Sequence, residues 1–178
     1  MPSPKTGKKP MIHESAYIAP TAVIIGDVTI GERSNIWFGV VLRGDWGQIK
    51  IGKNTSIQEN VTIHIEMGTY VTIGSNCVIG HHAMIHGPTE IMDGCLVGIG
   101  SNILHNTKMN EGSMIAAGAV TTNKEIPPRQ LWAGIPAKFL KDFPENEEFI
   151  AEKTANDYII NGQAFKEFFR KNPEFAKF

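Results

Sequence analysis

Three histidines carry the clearest chemical signal in this sequence. His81 and His86 are separated by four residues, and His64 lies upstream of both. Imidazole is the commonest metal ligand among protein side chains and suits zinc and iron. Three histidines that leave one coordination position open are typical of a catalytic zinc site, whereas a closed structural site usually has four ligands, often cysteine. Such a metal lowers the pKa of bound water toward about 7, which would provide hydroxide at neutral pH.

A six-residue repeat supplies the elements that must position these histidines. Seventeen large aliphatic residues, fourteen of them isoleucine, fall on this grid. A period of six fits neither a helix nor a plain strand, and it is typical of a hexapeptide β-helix, whose stacked coils bury one aliphatic residue per side. We therefore predict a mainly β, single-stranded parallel β-helix with roughly six coils over residues 12 to 125. The anchors of the grid are Ile12, Ile18, Ile24, Ile30, Ile36, Leu42, Ile51, Ile57, Ile63, Ile73, Ile79, Ile85, Ile91, Val97, Ile103, Met109 and Ile115.

The grid also predicts which side chains are neighbours. The residue after the third anchor of each coil points outward, and this column reads Arg43, His64, His86 and Leu104. His64 and His86 are therefore expected one rung apart, about 4.8 Å at the backbone, where both can bind one metal ion. His81 falls on another side of the triangular coil. It can complete the site only if a second copy presents it, as in a cyclic trimer.

The remaining histidines leave alternatives open. His82 is the alternative to His81 as a metal ligand, although it lies one residue further along the six-residue grid. His13 and His105 are not expected to be ligands, although His105 follows an anchor close to the histidine coil. A single histidine on a β-helix is most often an ordinary surface residue, so the metal prediction depends on the pair in one column together with His81.

Charge and cysteine content narrow the functional classes. The 178-residue chain has a formal net charge of −1, which argues against a general affinity for nucleic acid or anionic membranes. No apolar run has the length of a membrane span, and none follows the basic N-terminal residues as in a secretory signal. Cys77 and Cys95 occupy a small inward slot four residues after an anchor. We expect two packed free thiols and a cytoplasmic location.

The chain is expected to divide into three segments. Residues 1–11 are predicted to be a flexible lead-in, residues 12–141 the β-helix with a partial last coil, and residues 142–178 a helical extension. Glycines directly after an anchor, such as Gly31 and Gly52, are expected to provide unusual backbone angles at the corners.

The helical extension is expected to contain one helix or two short ones. Pro144 and the acidic residues after it indicate a helix start, and the amphipathic pattern runs to about Asn161. Gly162 is predicted to end that helix, with a second one over 163–171. A phenylalanine-rich tail is expected to cover the prism, or alternatively to dock a partner. Its members are Phe165, Phe168, Phe169, Phe175 and Phe178.

Three segments resemble the gamma-class carbonic anhydrases, a group of hexapeptide-repeat proteins. They are Leu42-Arg43-Gly44-Asp45, residues 57–64 with Gln58 and His64, and residues 79–87 with His81 and His86. The resemblance covers nearly the whole repeat domain. It implies a homotrimer of left-handed β-helices with zinc, or iron(II) or cobalt, at each subunit interface. His64 and His86 of one chain and His81 of the next would be the ligands.

The same resemblance implies roles for four further residues. Arg43 and Asp45 would form an ion pair near the metal and across the interface, with a salt bridge that has no chemical role as the alternative. Gln58 would hydrogen-bond the reacting water, and Tyr158 roughly matches a family tyrosine near the site. The implied reaction is the reversible hydration of CO2 to bicarbonate.

The sequence departs from the family at the proton relay. The best-known members carry an acidic residue just after the Arg-x-Asp segment and a long acidic loop after the first histidine. Here Trp46 occupies the first place and the short segment 66–70 the second. Glu66 could act as a relay or be an exposed turn charge. The resemblance is therefore compatible with a weakly active hydratase or with another substrate.

Two other functions stay open on the sequence. One is a hexapeptide acyltransferase that uses acetyl-CoA, with His105 as general base, although this leaves the three-histidine set unexplained. The other is a non-catalytic, metal-stabilised trimer that serves as an assembly subunit or ligand carrier.

Overall fold

The computed structural model of the protein describes residues 1–176. The chain forms a left-handed parallel β-helix, as predicted, followed by one long α-helix and a short 3₁₀ helix at Pro173–Ala176. Neither helix within residues 1–176 combines the length and the apolar character that crossing a membrane requires. The helix α1 is Ile150–Lys171, and the strands are β1 (Met11–Ile12), β2 (Tyr17–Ile18), β3 (Val23–Ile30), β4 (Asn35–Ile36), β5 (Val41–Ile51), β6 (Ser56–Ile57), β7 (Thr62–His64), β8 (Tyr70–Ile73), β9 (Val78–Ile79), β10 (Met84–His86), β11 (Thr89–Ile91), β12 (Leu96–Val97), β13 (Asn102–Ile103), β14 (Thr107–Met109), β15 (Met114–Ile115), β16 (Val120–Thr121), β17 (Lys124–Ile126), β18 (Gln130–Ala133) and β19 (Lys138–Asp142).

Successive coils stack as rungs on three parallel faces. The first face consists of β2, β4, β6, β9, β12, β15 and β18, and β19 pairs antiparallel with β18 at its end. The other two faces belong to one hydrogen-bonded sheet because β3 and β5 continue around a corner and pair on both sides of it. Seven parallel rungs on the first face agree with the predicted six coils plus the partial last one.

The aliphatic anchors form the core as the six-residue grid predicted. Every anchor from Ile36 to Ile115 is at most 1% exposed. Burial of one isoleucine contributes on the order of 1.5–3 kcal/mol, so this column supplies most of the cohesion between rungs. Ile12 is 42% exposed because its strand lies on the terminal rung and pairs with β3 alone. Cys77 and Cys95 are buried free thiols in the inward slot.

The corner glycines are required for a different reason from the one predicted. Gly31 and Gly52 do not have positive φ angles. The left-handed corner positions are occupied by other residues, among them Asn54 (φ 58°) and Asn76 (φ 56°), because asparagine tolerates that conformation. A Cβ on Gly31 would lie 2.6 Å from the carbonyl of Gly52 on the next rung. Close approach between rungs, not backbone angle, therefore excludes a side chain there.

The C-terminal helix starts later than predicted. Helix α1 begins at Ile150 instead of near Pro144, and the acidic residues in between lie in a loop. Phe149 holds this loop against the prism, with its ring where a side chain on Gly94 or Gly112 would stand. The Arg129 guanidinium lies 4.4 Å from the centroid of the same ring. The prediction was wrong because this packing involves distant rungs that local sequence does not reveal.

The prediction of a helix break at Gly162 was also wrong. Gly162 is buried inside the continuous helix α1. A Cβ at this position would lie 3.1 Å from the Cβ of Asn35 and 3.4 Å from that of Tyr17. Glycine costs about 1 kcal/mol in helix propensity, and here it permits the helix to approach the first face closely.

Aromatic side chains attach helix α1 to the first face. Trp37 is buried beneath the helix, and its ring centroid lies 5.3 Å from that of Phe165 at an angle of 81°. Phe169 packs on the same cluster. Phe168 and Phe175 are largely exposed, and Phe178 lies outside the described residues. The tail therefore covers the prism with part of its aromatic surface.

Candidate metal centre

Two interruptions of the six-residue grid meet at one corner of the prism. The first adds residues 45–47 within β5, opposite a register shift in β3. The second is the segment 65–69 between β7 and β8, which makes this part of the coil four residues longer than the grid requires. The Gly68 N–H donates to the Trp46 carbonyl at 3.0 Å, which joins the two insertions. They form a wall beside the end of β7, where His64 lies.

His64 and His86 stand side by side on adjacent rungs. They are direct Cα partners in the pairing of β7 with β10, the register that the grid predicted. Their ring centroids are 5.6 Å apart and their planes meet at 80°. Two imidazoles at this separation can direct nitrogen atoms toward a common point.

A backbone carbonyl determines the tautomer of His64. Its Nδ1 lies 3.1 Å from the carbonyl oxygen of Arg43, one rung below. Because a carbonyl only accepts, Nδ1 carries the hydrogen, and in the neutral ring Nε2 keeps its lone pair for another bond. This is the arrangement in which metal-binding histidines usually occur.

His81 lies in the turn two residues after β9, away from the other two histidines along the coil. Its Nδ1 is 2.7 Å from Oε2 of Glu59, and its main-chain N–H donates to Oε1 of Gln58 at 3.1 Å. These contacts leave the His81 Nε2 atom free. His82, the substitute ligand, occupies an exposed corner with a φ of 60°.

One protomer does not assemble the three histidines. Within residues 1–176, no three histidine, cysteine or acidic side chains approach closely enough to hold a metal ion. His64 and His86 share one face, whereas His81 lies in the turn that follows β9 of the first face. The donor set nevertheless fits zinc, because neutral imidazole nitrogens are among its preferred ligands. A metal site made of all three histidines would need a second copy of the chain.

Arg43 and Asp45 pair within one protomer. Nη1 of Arg43 lies 3.3 Å from Oδ2 of Asp45, and the two side chains are 42% and 13% exposed. The other carboxylate oxygen, Oδ1, is buried and has no hydrogen-bond partner among the described residues. An ion pair this exposed contributes at most about 1 kcal/mol to stability. Its main effect is therefore to hold a guanidinium beside His64, the Cα partner of Arg43.

The two insertions contribute one aromatic and one acidic side chain. The Trp46 ring centroid is 6.0 Å from that of His64, and Lys5 Nζ lies 4.2 Å from the centroid of the same indole. Oε1 of Glu66 is 3.8 Å from Nε2 of His86, which is too long for a hydrogen bond. The Glu66 side chain is 59% exposed, so it lies between His86 and bulk water.

Tyr158 and Gln58 lie on the His81 side of the molecule. The Tyr158 ring packs edge-on against Trp37, with centroids 5.6 Å apart. Burial and the nearby Glu59 carboxylate raise the pKa of Tyr158 above its ordinary value. Gln58 is buried at the end of β6. The structure thus brings Tyr158, Gln58 and His81 together around Glu59, apart from the His64–His86 pair.

Of the two remaining histidines, His105 lies near the candidate site and His13 lies far from it along the stack. The His105 ring centroid is 6.3 Å from that of His86, so His105 is nearer to the candidate site than its phase on the grid indicated. His13 lies at the first rung, where its Nδ1 is 2.8 Å from the Ser15 hydroxyl.

Sequence reasoning missed Glu59, although a signal was present. Glu59 precedes His81 by 22 residues, the same coil length that separates His64 from His86. The rule that aligned the two metal-binding candidates therefore also aligns Glu59 with His81.

Comparisons with known proteins agree with this architecture. A family model described as bacterial transferase hexapeptide (six repeats) matches residues 9–44. A crystal structure of a hexapeptide transferase family protein from Anaplasma phagocytophilum has 39% sequence identity and a TM-score of 0.84, with 90% of this chain and 95% of that chain covered.

Two relatives carry the name carbonic anhydrase. The chain is 38% identical over 159 residues to gamma carbonic anhydrase 2, mitochondrial, of Arabidopsis thaliana. The alignment covers 85% of this chain and 57% of that protein. The chain therefore spans less than two thirds of the plant relative. It is 37% identical over 164 residues to a carbonic anhydrase of Geobacillus kaustophilus, with 92% of this chain and 90% of that protein covered. Because of its similarity to the Geobacillus protein along most of both sequences, and to plant gamma carbonic anhydrases, the chain belongs to the gamma carbonic anhydrase family.

Proposed function

We propose that this protein is a metal-dependent hydratase that interconverts CO2 and bicarbonate at the interfaces of a homotrimer. The observation that carries the proposal is the His64–His86 pair on adjacent rungs, with ring centroids 5.6 Å apart. The relatives named carbonic anhydrase support it. His81 of a neighbouring subunit completes the ligand set.

Zinc is the metal we assign, with iron(II) and cobalt as alternatives. His64, His86 and a neighbour's His81 would hold it through nitrogen, and the Nδ1 contacts of His64 and His81 leave Nε2 for this purpose. When bound, such a metal lowers the pKa of water toward neutrality and so supplies a nucleophile at physiological pH.

The surrounding side chains orient the reactants. Because the His81 main chain occupies Oε1 of Gln58, the amide Nε2 is the part of Gln58 that can donate a hydrogen bond to the reacting oxygen. The Trp46 ring beside His64 offers CO2 an apolar surface and excludes water. The Arg43 guanidinium, oriented by Asp45, attracts the bicarbonate anion. Tyr158 acts indirectly, through Glu59.

Each hydration of CO2 yields one bicarbonate and one proton that must leave the site. Glu66 is the acidic side chain that reaches the histidines, with Oε1 3.8 Å from His86 Nε2 and a 59% exposed side chain. We assign it the transfer of this proton from the site to buffer. A single exposed carboxylate is a modest relay, so we expect a slow enzyme.

Metal content measured together with the hydration rate tests the proposal. We expect about one zinc or iron per subunit in protein purified without chelator, and a trimer in light scattering. Stopped-flow assays of zinc- and iron-loaded protein should show CO2 hydration above the buffer rate. Protein that binds almost no metal would contradict the proposal. A metal-loaded trimer without hydration activity would instead favour a non-catalytic assembly or binding protein.

Acyl transfer from acetyl-CoA is the second candidate. It is favoured by the similarity to a solved hexapeptide transferase family protein and by the exposed His105 imidazole beside His86. Acetyl-CoA should then raise the melting temperature by several degrees, and His105→Ala should abolish transfer. We expect neither effect.

We also propose a cytoplasmic location. Cys77 and Cys95 are both free and buried one coil apart, as expected in a reducing compartment. Fractionation of cells that express the tagged chain at its native level tests this assignment.

A further inference from the structure

Gln58 and Glu59 on one rung contact His81 and His82 on the next rung. The Gln58 side chain accepts the His81 main-chain N–H at 3.1 Å. The Glu59 main-chain carbonyl accepts the His82 N–H at 3.0 Å. The Glu59 carboxylate approaches Nδ1 of His81 at 2.7 Å. The segment Gln58-Glu59 therefore constrains both the backbone and the ring of His81.

The Glu59 carboxylate has a specific chemical effect on the imidazole. A carboxylate only accepts hydrogen bonds, so its approach to Nδ1 favours the tautomer with the hydrogen on Nδ1. Nε2 then keeps its lone pair. A carboxylate behind a metal-binding histidine also raises the basicity of the ring and fixes its orientation.

The Glu59 side chain is 34% exposed, but one of its two carboxylate oxygens is buried beside His81. Oε2 is buried and lacks a well-aligned hydrogen-bond donor among the described residues, even though His81 Nδ1 is 2.7 Å away. A small rotation of the imidazole would align the N–H with this oxygen. On the other side, burial and the Glu59 charge raise the pKa of Tyr17 to about 12 and also raise that of Tyr158. Both phenols are therefore neutral neighbours of the carboxylate at physiological pH.

We propose that Glu59 is a positioning residue that holds His81 in the Nδ1–H tautomer and directs its Nε2 toward the neighbouring subunit. Tyr158 and Tyr17 lie close enough to feel the charge of this carboxylate. This inference rests on the proposed function, because it concerns the ligand that one chain contributes to its neighbour's metal.

The tautomer can be tested on metal-free protein. Long-range ¹⁵N–¹³C correlation spectra of the imidazoles, assigned with His81→Ala, report which nitrogen carries the hydrogen. We expect the Nδ1–H tautomer for His81 in the wild type and a mixture in Glu59→Gln, which keeps the shape of the side chain but not its charge. An unchanged His81 spectrum in Glu59→Gln would overturn the inference and leave the proposed function intact.

Metal affinity provides the second readout. By chelator competition, we expect Glu59→Gln to weaken zinc binding about tenfold and Glu59→Ala up to about 100-fold, the usual range for the partner of a metal-binding histidine. Glu90→Gln is the matched control, because its carboxylate contacts Tyr70 on another face. Affinities of both Glu59 variants within twofold of wild type, with intact trimers, would overturn the inference. A wild type that binds no zinc would overturn the proposed function and the inference together.

If Glu59→Ala does not assemble, the isosteric Glu59→Gln decides the question. The d–d absorption spectrum of cobalt-loaded protein should change in Glu59→Gln at unchanged melting temperature, since a purely structural role would alter stability instead. Identical spectra and affinity in that variant would contradict a positioning role.

Discussion

His86 lies directly above His64 in the stack of rungs, with the two as Cα partners and their ring centroids 5.6 Å apart. The backbone ladder maintains this relation, because the separation of neighbouring strands is set at about 4.8 Å by hydrogen bonding. The two rings therefore keep their spacing whether or not a ligand joins them. Half of the proposed metal site is therefore built into the repeat itself.

Replacement of His86 by alanine should remove the metal while the fold remains. The isoleucine column beneath it is fully buried, so we expect the free energy of unfolding of the metal-free protein to change by less than about 1 kcal/mol. Metal analysis and chemical denaturation measure the two effects. His13→Ala, on the first rung, is the control and should retain metal. A His86→Ala variant that keeps one metal per subunit would eliminate the proposed site.

Glu66→Gln should slow turnover without weakening CO2 capture. The carboxylate reaches the site and solvent, and its loss removes a proton acceptor. We expect kcat to fall on the order of tenfold, below the 10²–10⁴ typical of well-positioned acid–base groups, with kcat/KM nearly unchanged. High concentrations of imidazole buffer should restore the rate. Equal kcat for variant and wild type at low buffer would exclude Glu66 as the relay.

Substitution at Gly162 tests the contact between helix α1 and the first face. Gly162→Ala gains about 1 kcal/mol in helix propensity but places a Cβ 3.1 Å from Asn35, so we expect little net change. Gly162→Leu cannot fit and should cost about 1–3 kcal/mol, as overpacking usually does. Denaturant unfolding measures both. Asn161→Leu on the exposed side is the control, and equal stability of the two leucine variants would show that the helix does not pack there.

The two thiols should be inert in the folded protein. Burial raises the pKa of Cys95 to about 11 and that of Cys77 well above its ordinary value. Since the thiolate is the reactive form, we expect no reaction with Ellman's reagent over an hour at pH 8 and release of two thiols per chain after unfolding. Reaction of the native protein within minutes would show that the inward slots are open to solvent.

Tyr17 should make stability depend on pH in the alkaline range. Burial, with a smaller effect of the Glu59 charge, raises the pKa of Tyr17 from 10 to about 12. Below pH 10 its contribution is complete. As the pH rises from 10 to 12 the unfolded chain loses the phenolic proton first, so stability falls.

Comparison with Tyr17→Phe isolates this effect. The two proteins should be about equally stable at pH 8, and the wild type should lose stability more steeply above pH 10 in denaturant titrations. Parallel curves for the two proteins up to pH 12 would refute a raised pKa. Absorbance at 295 nm provides an independent titration of the phenol.

The repeat made most of the fold predictable from sequence. One aliphatic residue every six positions determines which residues share a rung, and coil length then determines which residues are vertical neighbours. The pairing of His64 with His86 follows from these two quantities alone. A periodic solenoid is favourable for such reasoning because each rung contacts only its neighbours.

The parts that were mispredicted depend on contacts between non-periodic and periodic segments. The start of helix α1 is determined by Phe149 over Gly94 and Gly112, which lie on two separate rungs. Glycine usually weakens a helix, so Gly162 was predicted to end one. Its contact with Asn35 and Tyr17 depends on where the helix packs, which the local sequence does not indicate. The partner of His64 and His86 is a proposal for a similar reason, because it involves a second chain.

The insertions at residues 45–47 and 65–69 meet at one corner and leave the rungs above and below in register. This separates the two tasks of the sequence, since the ladder sets the distance between imidazoles and the inserted loops set what surrounds them. The length and composition of the loops at this corner can therefore change during evolution while the spacing of the imidazoles stays the same. The loops can likewise be replaced by longer segments in a redesigned protein. A single scaffold could in this way be retuned from one small electrophile to another without rebuilding its metal ligands.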